Sequence, residues 1–206
     1  MPAAKAATAA PHARARQREA TRERIVAAAI DTFAEKGFRG ASTREIARRA
    51  GTNQGLITYH FRSKDALWRA AVDTIFGWLE SEWSASPSGL DPRETAREAI
   101  RSWVRFAAAH PELLRFMVNE GRESDERMRW LVETHIRPRY ADLASRTNEI
   151  AGLPEALLPH FFYALVGAGS LIFSVAPECR RLTGLDPTRE EAIETHAEFV
   201  ARLILP

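Results

Sequence analysis

The segment from Ser42 to Phe61 constrains the fold of this chain more than any other stretch of its sequence. Ser42 is a good N-cap for a short helix, and Glu45, three positions later, completes the capping-box pattern in which its side chain reaches back to the cap. Gly51 ends that helix, and Asn53 is a good N-cap for a second short helix that ends near Phe61. Two short helices around a glycine turn are typical of a helix-turn-helix. We therefore predict that the second helix enters the major groove of double-stranded DNA.

Within the second helix, the spacing of apolar residues separates a buried face from an outward one. Ile57 and Phe61 lie four positions apart and predict the buried face. The residues left facing outward near the N-terminal end, where a recognition helix meets base edges, are Gln54, Gly55, Leu56 and Thr58. The amide of Gln54 can pair bidentately with adenine, so Gln54 is the predicted base reader.

Basic residues are concentrated towards the N-terminus of the chain. Residues 1–65 contain 13 Lys and Arg against 6 Asp and Glu, whereas residues 66–206 contain 16 against 21. A basic head on a mildly acidic body indicates a polyanionic partner for the head, and chance clustering of solvated arginines is the alternative. Residues 1–18 lack a core-forming pattern and are predicted to be a flexible basic arm, either a solvated tail or an arm that enters the minor groove.

Elsewhere apolar residues recur at steps of three and four, and no strand-like alternation is sustained. We predict an all-α fold of about nine helices, with a three-helix DNA-binding domain at 19–65 and a larger helical domain at 66–206. The first helix is expected to run from Ala20 to Lys36 and to stop at Gly37, with Phe38 packed back on Phe33. Later helices are predicted to begin at Pro92, after Ser124 with a kink at Pro138, at Pro154 and at Pro187.

Three stretches of the first 80 residues together resemble the TetR family of transcriptional regulators. They are RIVAAA and FAEKGF within 24–38, STREIARRAG at 42–51 and YHFRSKDAL at 59–67. The resemblance implies phosphate contacts from Thr43 and Arg44 and, at the end of the second helix and beyond, from Tyr59, His60 and Lys64. The whole predicted DNA-binding set is Ser42, Thr43, Arg44, Asn53, Gln54, Gly55, Leu56, Thr58, Tyr59, His60 and Lys64. Two alternatives apply here: Tyr59 belongs mainly to the core, and Arg48 and Arg49 are merely solvated.

Residues 157–176 are nearly all apolar, long enough for a membrane span. Pro159, His160 and two internal glycines make a membrane span a poor interpretation. The better one is a helix buried on all sides, covered by its own domain on one side and by a partner on the other. The family resemblance implies a homodimer formed by the last two long helices. The predicted interface residues are Ala164, Gly167, Ala168, Leu171, Phe199, Val200 and Leu203, and intramolecular core is the alternative for each of them.

The resemblance also implies a small-molecule cavity in the larger domain. Its predicted lining is Trp103, Phe106, Phe116, Met117, His135, Phe161 and Phe162, and core is the favoured alternative for any one of them. The six histidines are scattered, and the sequence has no nucleophile elbow, phosphate-binding glycine loop or paired metal ligands, so we predict no enzyme, cofactor or metal site.

These observations lead to one predicted function and one alternative class. We expect a cytoplasmic homodimer, a repressor that binds a palindromic operator in double-stranded DNA and is released by a small-molecule effector. The single cysteine, Cys179, and the lack of an apolar secretory core at the start fit a cytoplasmic protein. The alternatives are a DNA-binding factor with no effector and, less favoured, an enzyme that uses the helical cavity.

Overall fold

The computed structural model describes residues 6–84, 91–151 and 153–205, and within these ranges the fold is all-α, as the sequence predicts. The residues divide into two compact units, 1–74 and 75–206. The α-helices are α1 (Ala6–Gly40), α2 (Thr43–Arg49), α3 (Gln54–Phe61), α4 (Lys64–Ser84), α5 (Pro92–Ala109), α6 (Glu112–Glu120), α7 (Glu126–Leu131), α8 (Arg137–Ala151), α9 (Leu158–Ser174), α10 (Ala176–Thr183) and α11 (Glu190–Ile204).

Helix α1 begins well before its predicted start. It is helical from Ala6 rather than from Ala20, so most of the predicted arm at 1–18 is helix, and residues 1–5 lie outside the described residues. Alanine and arginine are strong helix formers, and they extend the helix even where no apolar stripe anchors it. Near its other end, Gly37 has the non-helical angles φ 65° and ψ 173°, so it kinks α1 instead of ending it as predicted, and α1 continues to Gly40. The ring of Phe38 stacks on Phe33, as predicted.

The first unit has a small core built from α1, α2, α3 and the first half of α4. The side chains that form it are buried, and they are Ile25, Ala29, Phe33, Ile46, Ile57, Leu67, Trp68 and Ala71. Ile57 and Phe61 are both buried, which confirms the predicted inner face of the second short helix. This packing holds α3 by one face and leaves its other face exposed.

The second unit is organised around α5, α9 and α11. Its buried apolar side chains come mainly from these three helices and include Ile100, Val104, Leu165, Phe173, Ala197 and Val200. A cross-helix ion-pair network lies beside this core: Arg105 binds Glu194 at 2.7 Å, and Arg101 binds Glu198 at 3.0 Å. The network joins α5 to α11.

This network predicts how the stability of the second unit depends on pH. The hydrogen bond from Arg105 lowers the pKa of Glu194 below its ordinary value near 4.5. Stability from this pair is therefore complete above about pH 4.5 and is lost as pH falls through the lowered pKa. Because the side chains of Arg105 and Glu194 are 40% and 49% exposed, water screens the pair, and we expect Glu194→Gln to cost less than about 1 kcal/mol. Thermal melts of the wild type and of Glu194→Gln at neutral pH and at about pH 3 measure the loss of stability. The destabilisation should shrink in acid, and a variant equally destabilised at both pH values would contradict the ion pair.

The chain before Pro138 forms a π-helical turn and not the simple kink that the sequence predicts. Asp125, rather than Ser124, caps α7 by accepting a hydrogen bond from Met128 N–H. A π-helical turn at Val132–Ile136 follows, closed by Arg137 N–H donating to Val132 O, and α8 begins directly after it. Because Pro138 has no N–H, a wider turn placed before it absorbs the missing hydrogen bond.

The last three helices differ from the predicted pair. Pro154 precedes a short 3-10 turn at Glu155–Leu157, and α9 begins only at Leu158. A separate helix, α10, ends at Gly184 in the left-handed conformation, and α11 begins at Glu190 rather than at Pro187. The apolar run at 157–176 predicts one helix. That prediction is wrong at its end, because the non-helical Val175 separates α9 from α10.

Helix α9 is the apolar surface feature of the second unit. With its preceding turn it is the one helix in the described ranges long and apolar enough to cross a bilayer, and only 22% of that stretch is buried within the chain. The chain itself buries one side of α9, including Leu165, Gly169 and Phe173, and cover of its other side by a partner stays a prediction. A single such helix is weak support for a membrane span, because an apolar helix covered by a protein partner has the same composition.

Candidate nucleic-acid interface

The α2–α3 corner is closed by two side-chain caps and one glycine. Ser42 Oγ accepts a hydrogen bond from Glu45 N–H at 3.2 Å, and Asn53 Oδ1 accepts one from Leu56 N–H at 3.0 Å. Between the helices Gly51 has a φ of 62°, and Thr52 N–H donates to Ala47 O at 2.9 Å. A left-handed residue at this corner is costly for any side chain with a Cβ, so glycine suits the turn. The predicted helix-turn-helix is thus present at the predicted residues.

An ion-pair network braces α2 against α1. The carboxylate of Glu45 accepts hydrogen bonds from Lys36 Nζ at 2.6 and 2.7 Å instead of reaching back to the cap, which corrects the predicted capping box. Arg49 forms a two-point bond with Glu35 at 2.6 and 2.9 Å and also contacts Glu45. The expectation that Arg49 is merely solvated is therefore wrong, because the turn of α2 brings it beside the acidic residues of α1. The hydrogen bond from Lys36 lowers the pKa of Glu45.

The outward face of α3 presents the predicted base-reading residues to solvent. Gln54 Nε2 donates a hydrogen bond to Thr43 Oγ1 at 3.2 Å, so the hydroxyl of α2 orients the amide of α3. The second amide hydrogen and Oε1 are still free to pair with a base. Leu56 and Thr58 are exposed on the same helix. A Cβ at Gly55 would lie 3.1 Å from the capping Oδ1 of Asn53. A glycine at this position therefore avoids crowding the cap, in addition to allowing close approach to DNA.

Tyr59 lies on the surface and not in the core. Its side chain is 62% exposed, so the alternative that it packs inside is wrong. Its ring is covered on one side by the guanidinium of Arg18 at 5.4 Å. Lys64 lies at the start of α4 with its ammonium 4.5 Å from the ring centre of Phe38, and Arg44 is exposed on α2. Tyr59, Arg44 and Lys64 therefore lie on the helix-turn-helix or directly after it, and Tyr59 and Arg44 are exposed to solvent.

His60 provides a pH test of phosphate contact. Burial lowers its pKa below the ordinary value of 6.5, and the positive charges of Arg18 and Arg22 lower it further. The free protein therefore has a neutral ring at pH 7. A phosphate beside the ring would raise the pKa in the complex, so binding would take up a proton and affinity would rise as pH falls below about 7. We expect titrations between about pH 5.5 and pH 8 to show this rise in the wild type and a smaller one in His60→Gln. Equal profiles would place His60 away from the phosphates.

Sequence reasoning did not foresee the contact between α1 and α3. The guanidinium of Arg22 lies 5.4 Å from the ring of Phe61, in the same way that Arg18 covers Tyr59. The signal was present as arginines at steps of four, but the segment was interpreted as an arm without secondary structure. Among the residues that the structure describes, no cluster of three potential metal ligands occurs.

The residues predicted to form a dimer interface separate into surface and core. Leu171, Phe199 and Leu203 are more than half exposed, and Ala164 is exposed, whereas Gly167 and Ala168 are partly buried. Val200 is 0% exposed within its own unit, so it belongs to the core and is withdrawn from the interface set. It lies one position past Phe199 and therefore on a different face of α11.

The residues predicted to line a cavity are likewise of two kinds. Phe106 and Phe116 are almost fully buried, whereas Trp103, Met117, His135, Phe161 and Phe162 are partly buried, and the cavity lining stays a prediction. Trp103 Nε1 is buried without a hydrogen-bond partner among the described residues. A Cβ at Gly169 would lie 2.3 Å from that nitrogen, so the glycine makes room for the indole.

A capped helix-turn-helix with an exposed second helix defines a DNA-binding protein. Residues 25–71 match the family described as "Bacterial regulatory proteins, tetR family". Over this segment the chain is similar to TetR-family transcriptional regulators, and the proteins it matches are named as transcriptional regulators.

Three similar proteins illustrate the match. The HTH-type transcriptional repressor NicS of Pseudomonas putida is 29% identical over 108 residues, which are 52% of this chain and 51% of NicS. The HTH-type transcriptional regulator RutR of Escherichia coli is 30% identical over 107 residues, 52% of this chain and 50% of RutR. The chain therefore spans about half the length of these two relatives. The structure of AibR in complex with isovaleryl coenzyme A and operator DNA has a TM-score of 0.70 at 16% identity, covering 90% of this chain and 98% of AibR.

Proposed function

We propose that this regulator is a repressor that binds a palindromic operator as a homodimer and leaves it when a small molecule binds the second unit. The observation that carries the proposal is the exposed face of α3, where Thr43 orients Gln54 beside the exposed Leu56 and Thr58. A face of this kind, held by caps on both short helices, is suited to reading base edges in a major groove. A protein of this kind acts on DNA in the cytoplasm.

The exposed apolar face of the second unit supports the homodimer. Leu171 on α9 and Phe199 and Leu203 on α11 are 55%, 60% and 59% exposed, and α9 also carries the small residues Ala164 and Gly167. Covering such a patch removes apolar surface from water, at roughly 25 cal/mol per Å². A two-fold pairing of α9 and α11 would cover the patch of both chains with one contact. Two recognition helices about 34–36 Å apart would then match half-sites one DNA turn apart.

An acceptor-bearing apolar effector is the ligand class that the second unit supports. The indole N–H of Trp103 is buried without a partner in the described part of the chain, and the partly buried Phe161 packs against the same core cluster as Trp103. A buried N–H without a partner is unfavourable, and a ligand oxygen would satisfy it. AibR carries isovaleryl coenzyme A together with operator DNA in its structure, which makes acyl-coenzyme A compounds the first probes to test.

The test combines DNA binding with ligand-induced stabilisation. Selection from random duplexes should recover an inverted repeat, and changing the spacing between its half-sites by half a helical turn should abolish binding. Thermal melts with isovaleryl coenzyme A and with free coenzyme A then test the effector, since a ligand that binds the folded state raises the melting temperature. Release of the duplex by the same compound supports repression with induction. Binding that does not depend on half-site spacing contradicts the homodimer. A melting temperature that no acyl-coenzyme A compound raises favours a DNA-binding factor without this effector.

A further inference from the structure

The N-terminal part of α1 carries a row of three arginines, Arg14, Arg18 and Arg22. They recur at steps of four, so they lie on one face of the helix, with about 6 Å between successive positions along its axis. Arg16 lies two positions from both Arg14 and Arg18 and therefore points to the opposite side of the same helix. We call the three residues the arginine row.

Two members of the arginine row contact α3 directly. The guanidinium of Arg22 lies 5.4 Å from the centre of the Phe61 ring, and that of Arg18 lies 5.4 Å from the centre of the Tyr59 ring. Both distances are within the range of a cation–π interaction. Following the row from Arg22 to Arg18 thus leads from the buried end of α3 to its exposed tyrosine. Arg14 lies one further turn along α1, past Tyr59.

The outer part of the row has uncompensated positive charge. Among the described residues, neither Arg14 nor Arg18 has an ion-pair partner, while Arg22 is paired with Glu19 at 3.5 Å. Arg14 and Arg18 are exposed. The lowered pKa of His60 has Arg18 and Arg22 among its causes, which is consistent with a positive potential at this end of α3. Guanidinium groups that lack a carboxylate partner among the described residues are suited to phosphate, which they bind bidentately.

We propose that Arg14 and Arg18 bind DNA phosphates that flank the base pairs facing α3, while Arg22 braces α1 on the helix-turn-helix. This extends the interface beyond the corner along the DNA backbone, because a rigid helix places the charges at fixed positions, unlike a solvated tail. The contacts are to the backbone, so they add affinity at every sequence and no base preference. The inference rests on the proposed DNA binding of α3.

The experiment compares Arg14→Ala with Arg16→Ala in the full-length chain. The two variants lose the same charge at exposed sites of the same helix, two residues apart, and alanine favours helix at both. Affinity for a long duplex of mixed sequence is measured by fluorescence anisotropy over a KCl titration. For Arg14→Ala the slope of log K against log salt should fall by about 0.9 per phosphate contact, or about 1.8 for a dimer that loses one contact in each subunit. Arg16→Ala should change the slope less.

Two further variants make the result specific to the row. Arg14→Lys retains a charge that neutralises phosphate and should retain the wild-type slope. Arg14→Glu should lower the affinity more than Arg14→Ala, because it adds repulsion. Circular dichroism of each variant verifies that the helix content is unchanged.

The outcomes separate this inference from the proposed function. A wild-type chain that binds no duplex at low salt overturns DNA binding by α3. A wild-type chain that binds, with equal slopes for Arg14→Ala and Arg16→Ala, overturns the arginine row alone and indicates a general field of charge. A lower slope for Arg14→Ala only, with rescue by lysine, establishes the row as part of the interface.

Discussion

Leu171→Asp is expected to convert the proposed homodimer to a monomer and to lower its affinity for a duplex with two half-sites by about a hundredfold or more. The side chain of Leu171 is 55% exposed on α9, so the aspartate is solvated in the separate chain and the fold is unaffected. In a paired α9–α11 interface the same carboxylate would be buried without a partner, which is strongly unfavourable. Sedimentation or light scattering measures the assembly, and anisotropy measures the binding.

Leu182→Asp is the matched control for this substitution. Leu182 lies on α10, is 79% exposed and undergoes the same change from leucine to aspartate. It lies outside the proposed dimer patch, so the variant should remain a dimer with wild-type affinity. Dimers of Leu171→Asp as stable as those of Leu182→Asp would show that the apolar face of α9 has another occupant.

Gln54→Ala is expected to relax the preference for one base pair in each half-site. The amide that Thr43 orients is the predicted partner of adenine, and loss of a bidentate pair costs roughly 1–3 kcal/mol of discrimination. In contrast, Lys64→Ala should weaken all sequences by a similar factor and flatten the salt dependence, because a lysine at a phosphate carries no sequence information. Affinities for the selected operator and for its single-base variants measure both effects.

A second substitution tests whether the amide of Gln54 or its orientation is responsible. Thr43→Val removes the hydroxyl that accepts the hydrogen bond from Gln54 Nε2 and retains the branched shape. It should reproduce part of the loss of discrimination while the free protein remains folded. If Gln54→Ala binds every single-base variant with the wild-type preference, another residue of α3 reads the base.

Much of the DNA-binding corner could be predicted from local sequence. Ser42, Gly51 and Asn53 occupy the cap and turn positions predicted for them, because caps and left-handed turns depend on the few residues beside them. The inner face of α3 followed from the spacing of Ile57 and Phe61 for the same reason. The helical path of residues 6–18 was missed, since a helix formed by propensity leaves no apolar pattern to recognise.

Residues that depend on distant partners could not be assigned in this way. Glu45 was predicted to complete its own cap, yet it pairs with Lys36, nine positions earlier. Val200 and Phe199 are adjacent in sequence, and only the packing of α5, α9 and α11 shows that the first is core and the second is surface. The π-helical turn before Pro138 likewise depends on how the chain accommodates the missing N–H.

The sequence by itself determined the all-α class and the turn between α2 and α3, because these rest on periodicity and on residues within one or two turns of each other. The tertiary structure alone decided which charges are paired, which apolar side chains remain exposed and which arginines of α1 lie against α3. These properties depend on contacts between residues far apart in the chain, and such contacts form only when the helices pack.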